Sequence, residues 1–184
     1  MIRTLLLLVP LILGGCASWL PDYSGEDSGW RLVLRKPLTV APENARVFLQ
    51  DGRMLPSLAF NQYKPSCSLE VRNLSPQPQT IEPDTFVVNR IQLLREEVAS
   101  WRPVMLASLR LAGADVDSGP ADIFLGYHFW LGSEKQPDVL RMTCRGVFAT
   151  PWEAEYPTLE EIAHALGDYA ELVSGVTRLL PGRY

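Results

Sequence analysis

The chain is poor in the residues that most often do chemistry. Two histidines and three cysteines occur in 184 residues, and none of them falls into the short paired spacings of zinc motifs. Basic side chains are outnumbered, 17 against 21 acidic ones, for a formal net charge of −4. A sequence-independent nucleic-acid binder needs a positive field, so DNA and RNA are set aside as partners. The chain contains no G-x-S-x-G elbow, H-E-x-x-H, Walker A or G-x-G-x-x-G, which removes the local signatures of serine hydrolases, zinc proteases and nucleotide-binding folds. No metal and no cofactor is expected. Internal repeats and low-complexity tracts are also missing, which argues against a solenoid. A composition of 47% hydrophobic, 21% charged and 9% aromatic residues excludes both an intrinsically disordered chain and a polytopic membrane protein.

What is abundant is punctuation. Fifteen prolines and thirteen glycines suit short strands and turns better than a helical bundle. The amino terminus differs from all that follows. Arg3 precedes an apolar run from Leu5 to Leu13, and Gly14 and Gly15 then lead to Cys16, the layout of an export signal. The run is roughly half the ~20 residues that a membrane-spanning helix needs, and Pro10 interrupts it.

Leu13-Gly14-Gly15-Cys16 resembles the lipobox of bacterial lipoproteins, a likeness that covers about the first sixteen residues. The resemblance implies that residues 1–15 are a signal peptide and that Cys16 becomes the first mature residue, acylated at its sulfur and its new amino group. Several chains anchor stably, because each buried CH₂ contributes ~0.8 kcal/mol and one chain alone holds only marginally. In that family an aspartate just after the cysteine retains the protein in the inner membrane. Here Ala17 and Ser18 follow, so the expected address is the outer membrane, lipid-anchored and facing the periplasm. An ordinary secretory signal with an incidental cysteine is the competing reading, against which the odd cysteine count weighs.

Cys67 and Cys144 remain, and in an exported chain they are expected to pair. Both lie in strand-like sequence, so a bridge would staple two strands distant in the chain, or two sheets. A redox pair is the alternative, but the C-x-x-C spacing of such chemistry is lacking.

Residues 16–29 hold Asp22, Ser24, Gly25, Glu26, Asp27, Ser28 and Gly29 and read as a flexible tether. A single domain follows over 30–184. Strands are predicted over 30–35, 46–50 and 67–72, with Asp51-Gly52 as a turn. Residues 85–94 begin as a strand but become helix-compatible at Leu93, Leu94, Arg95, Glu96 and Glu97. A strand is predicted over 105–111 and a loop over 113–120. The clearest hairpin pairs 123–131 with 139–148. Thr158-Leu159-Glu160-Glu161 fits a capping box that starts a helix ending at Gly167, and 169–173 reads as a last strand. The fold class is therefore mainly β (α+β): an antiparallel sheet or sandwich with one C-terminal helix, stapled by a disulfide.

Few residues suggest a site. His128 shares a strand face with Trp130 and Phe124 and reads as a satisfied core or interface histidine rather than a general base. His164 follows Glu160 by four, the spacing of a solvated helix pair. Glu153 and Glu155 bracket Ala154 beside Trp152 and Tyr156; with Trp130 they outline a small-ligand or glycan site, with weak hydrolysis as its furthest extension, against the plainer reading of two solvated acids in a loop. Beyond residue 15 thirteen arginines face three lysines, which suits fork-shaped recognition of phosphate or carboxylate or reflects base composition. The leading expectation is a non-enzymatic scaffold or binding module for another envelope component, a protein or peptidoglycan. The alternative is the ligand or glycan domain. The intact mass of the chain extracted from bacterial membranes should match cleavage before Cys16 plus acyl groups; an unmodified full-length mass overturns the lipobox reading.

Overall fold

The computed structural model describes residues 28–56, 59–97 and 121–175. The lipobox, the tether before Ser28, the strand expected over 105–111 and the loop over 113–120 lie outside them. The described elements are β1 (Trp30–Leu34), β2 (Leu38–Val40), β3 (Arg46–Gln50), β4 (Arg53–Leu55), β5 (Ser66–Val71), β6 (Gln79–Ile81), β7 (Asp84–Glu97), β8 (Ile123–Gly132), β9 (Val139–Arg145), α1 (Leu159–Leu166) and β10 (Ala170–Ser174).

The mainly β reading holds, as one curled antiparallel sheet rather than a sandwich. Eight strands run in the order β10-β1-β7-β8-β9-β5-β3-β4, and β2 pairs with β6 in a separate ribbon. Alternation decides the faces. Leu32 and Leu34 in β1, Val47 and Leu49 in β3, Leu69 and Val71 in β5, Tyr127, Phe129 and Leu131 in β8, and Met142 in β9 join one buried cluster on the inner face. Burying a side chain of this size contributes roughly 1.5–3 kcal/mol relative to exposure, so a strand slipped by one residue would surrender its whole inner row.

The helix closes the curl. Helix α1 touches β10 at one end of the sheet and β3 and β5 near the other, sinking Ile162, Ala165 and Leu166. Its start follows the sequence: the Thr158 hydroxyl accepts from the Glu161 N–H at 3.0 Å, and the Glu161 carboxylate accepts from the Thr158 N–H at 2.7 Å. Its end needs glycine twice over. Gly167 has φ 53° and Gly52, in the β3–β4 turn, has φ 68°, the left-handed region that glycine enters without cost. A Cβ on Gly167 would come within 2.4 Å of the Gly52 Cα. Asp51 at φ 50° completes the two-residue turn that favours Asp-Gly.

Two expectations are corrected. Residues 93–97 are strand, because each pairs with β8 from Leu93↔Tyr127 to Glu97↔Ile123; a half-buried pleated surface outweighs their helix-compatible side chains. Strand β9 stops at Arg145, short of Phe148, and Ala149 makes only an isolated bridge to Ile123. The disulfide forms as expected between two strands distant in the chain, which are neighbours within one sheet: Cys67 in β5 lies opposite Cys144 in β9, with Cα atoms 4.1 Å apart. The short strands β2, β4 and β6 were not foreseen, three residues being too few for a period to register.

The bridge closes a loop of 77 residues, for which chain entropy gives ~4.5 kcal/mol. Replacing both cysteines by alanine should lower the urea midpoint by an amount equivalent to about 2–5 kcal/mol. An unchanged midpoint would show that the register holds without it.

Candidate functional site

The sheet's outer face is unlike its inner one. On β8 the outward positions are Phe124, Gly126, His128 and Trp130, and register carries each across neighbouring strands. Arg90 of β7 lies opposite Trp130, Trp130 opposite Arg141 of β9, Arg141 opposite Glu70 of β5, and Glu70 opposite Arg46 of β3. The result is one row, Arg90–Trp130–Arg141–Glu70–Arg46, spanning five strands and roughly 19 Å at the usual inter-strand spacing. A second row holds Gln92, His128, Thr143, Ser68 and Phe48.

Two bulges aim the first row. Pairing in β7 shifts between Val88 and Arg90; Val88 is in the core cluster, and in a regular strand Arg90 would share its side. The extra residue, Asn89, turns Arg90 outward. The second shift lies between Glu70 and Val71, so Val139 points into the core while Arg141 joins the row.

Within the row the contacts are cationic, aromatic and ionic. The Arg90 and Arg141 guanidiniums lie 4.7 and 5.1 Å from the Trp130 ring centroid, within the range of cation–π attraction. The indole N–H donates to Gln92 Oε1 at 3.1 Å. One Glu70 oxygen serves Arg141 at 2.8 Å and Arg46 at 3.4 Å. The Glu70 carboxylate thus bridges two guanidiniums from the strands on either side of it. Arg46 is the more open of Glu70's partners, its side chain 40% exposed against 19% for Arg141.

The face is covered at its other end. Phe60 stacks on Phe48 at 5.3 Å, Phe148 packs on Phe124 at 5.0 Å, and Tyr63 meets Phe148 at 6.2 Å. Beneath them Gln50 is buried, with its amide donating to the Asn61 carbonyl at 2.8 Å. Arg145 lies there too, 8% exposed, paired with Glu96 at 2.7 Å and 5.6 Å from the Phe124 centroid. Its Nε is buried without a hydrogen-bond partner among the described residues.

His128 lies between the row and the covered end. Its Nδ1 is 2.8 Å from Thr143 Oγ1. Burial first, then the nearby Arg141 and Arg145 charges, pull its pKa from 6.5 to about 4, with Glu70 opposing and Arg46 adding to the fall. The imidazole is therefore neutral at pH 7 and a weak base.

The residues suggested by sequence do not form one cluster. Trp130 is on the outer face, while Tyr156 packs at the inner core with its ring 5.2 Å from Tyr127, and burial raises its pKa. Trp152 is 70% exposed. Glu153 and Glu155 are exposed, and Glu153 accepts from the Thr150 hydroxyl at 2.7 Å. His164 pairs with Asp51 at 3.7 Å instead of Glu160. Arg46 also borders a cleft of about 450 Å³ whose walls include Ala41, Val47, Met54, Leu55 and Pro56. Among the described residues no helix is long and apolar enough to cross a membrane, and no group of His, Cys, Asp and Glu could hold a metal.

The arginines and Glu70 were missed because each looks like an ordinary surface charge; the available signal was their even spacing with other polar residues on strands whose alternate positions are apolar. No family model, curated protein or solved structure matches the chain.

The His128 environment makes a pH prediction. Between pH 6.5 and about 4 the unfolded chain takes up a proton that the folded domain refuses, so stability should fall across that window on acidification and be level above it. His128→Gln should flatten this limb in urea denaturation measured across pH; an unaltered slope would assign it to other groups.

Proposed function

We propose that this chain is a lipid-anchored protein of the outer membrane, held through Cys16 with its domain facing the periplasm, and that the domain is a non-enzymatic binding module for another envelope component. The observation that carries the binding role is the five-strand row. The row is half-buried on the outer face, with two guanidiniums held against an indole, and arginine with tryptophan is the pairing enriched where proteins make their strongest contacts. Geometry supports recognition over catalysis: the histidine beside the row is poorly suited to accept a proton at neutral pH. The anchor reading rests on the lipobox, and a buried cystine suits an oxidising compartment.

The cleft beside Arg46 favours a second, narrower reading. Its walls are mostly apolar with one cation at the rim, a composition common to small-ligand sites. The carboxylates at Glu153 and Glu155 stand on exposed chain and do not contribute to it.

A photoreactive phenylalanine analogue at position 130, introduced into the full chain in cells, should give envelope adducts that the same group at exposed Glu160 on α1 does not. Equal labelling from the two positions, or none from position 130, would refute the assignment of the outer face.

A further inference from the structure

The eight-stranded sheet ends in β4, which pairs with β3 alone. The two-residue turn at Asp51-Gly52 makes Gln50 and Arg53 its closing hydrogen-bonded pair, and antiparallel bonds alternate from there. Arg53 and Leu55 therefore direct their backbone groups to β3. Met54 sits in the non-hydrogen-bonded pair opposite Leu49, so its N–H and carbonyl point out of the sheet. Among the described residues nothing bonds to them. The Met54 side chain is 41% exposed, and with Ala41, Val47, Leu55 and Pro56 it lines the cleft of about 450 Å³. Arg53 is exposed and forms no ion pair among the described residues; its neighbour Asp51 is held by Lys64 at 2.7 Å.

An outward N–H and carbonyl on one residue are the complement of another backbone. In antiparallel pairing a single residue of the incoming chain supplies both partners. Register then dictates which side chains that chain carries. The residue opposite Met54 points to the same side of the pleat as Met54, where an apolar side chain meets the cleft. The next residue lies opposite Arg53, where an acidic side chain makes a favourable cross-strand pair. We infer that β4 is a strand-addition site for an extended segment of a partner protein, with an apolar residue followed by an acidic one at its centre. Pro56, the next outward position, offers a carbonyl but no N–H, so the added strand is short and the cleft supplies the rest of the hold. The inference rests on the reading of that cleft as a binding site and names its occupant; it needs neither the row nor the Cys16 anchor.

The test adds a blocked hexapeptide, Thr-Thr-Val-Glu-Thr-Thr, at millimolar concentration to the isotope-labelled full chain in detergent, with amide exchange and methyl shifts followed by NMR. Without peptide the Met54 amide should exchange far faster than those of Arg53 and Leu55. Saturating peptide should slow Met54 about tenfold and shift the Val47 methyls. The same peptide N-methylated at its valine loses the donor to the Met54 carbonyl and should bind about tenfold more weakly. Met54→Pro removes the outward N–H where edge strands accept proline and should cost a similar factor. Arg53→Glu should weaken binding about fivefold, restored when lysine replaces the peptide's glutamate. The N-methyl comparison uses the wild type, so it stands should a variant fail to fold. A Met54 amide protected in the free chain, equal binding of the N-methylated peptide, or no binding overturns strand addition. Val47 shifts with Met54 unprotected leave the cleft as a small-ligand site and also overturn it. Met54 protected with Val47 unmoved upholds the strand and removes the cleft.

Discussion

The pairing of Cys67 with Cys144 holds β5 and β9 in a single register, and the rest of the molecule inherits that choice. Side chains alternate across a strand, so this one covalent contact, on the inner face, decides what the outer face displays. Ser68 must then oppose Thr143, and Glu70 must oppose Arg141. Were β9 to slip by one residue, Met142 would leave the core and the arginines would enter it, replacing apolar burial with unpaired buried charge. The disulfide and the ionic row are two readings of one alignment, made on opposite sides of the same pair of strands.

The curl of the sheet is governed at a second point. Helix α1 spans the gap between β10 and the β3–β5 end, and the β3–β4 turn meets it backbone to backbone. Close approach of Gly52 and Gly167 leaves no room for a side chain on Gly167 and only a tight fit on Gly52, whose Cβ would lie 3.3 Å from the Gly167 Cα, and the Gly52 N–H donates to the Ala165 carbonyl at 3.2 Å. Ordinary side chains there would push the turn away from the helix end and open the curl. The inner face is thereby sealed by a helix of only eight residues.

Local features of this fold were legible in the sequence and long-range ones were not. The β8–β9 hairpin, the capping box at Thr158 and the alternation in β5 are written in adjacent residues, where propensity and packing agree. Strand β7 was half legible: its start is rich in β-branched residues, but Leu93 to Glu97 carry helix-forming side chains that become strand only because β8 lies alongside. The bulge at Asn89 was hidden, since nothing local distinguishes a residue that will be left out of a ladder. The disulfide pairing followed from compartment and count, whereas its placement between adjacent strands depended on topology. The row was the least accessible feature, because Arg46, Glu70, Arg90, Trp130 and Arg141 come from five strands and meet only through four successive registers. The aromatic and acidic residues grouped by proximity in sequence, Trp152 to Tyr156, were separated by the turn that they occupy.

Strand β1 sits between β7 and β10, and this order has a consequence for how the domain is made. The Gly175 N–H reaches the Gly29 carbonyl at 2.8 Å, so the opening and closing residues of the sheet are hydrogen-bonded neighbours. A chain that emerges amino terminus first, from a ribosome or through a membrane, carries β1 with neither partner until β7 appears, and with one bare edge until β10 follows. Such non-local closure is slow. Until it occurs, the apolar side of β1, with Trp30, Leu32 and Leu34, stays uncovered and in need of protection from other nascent strands.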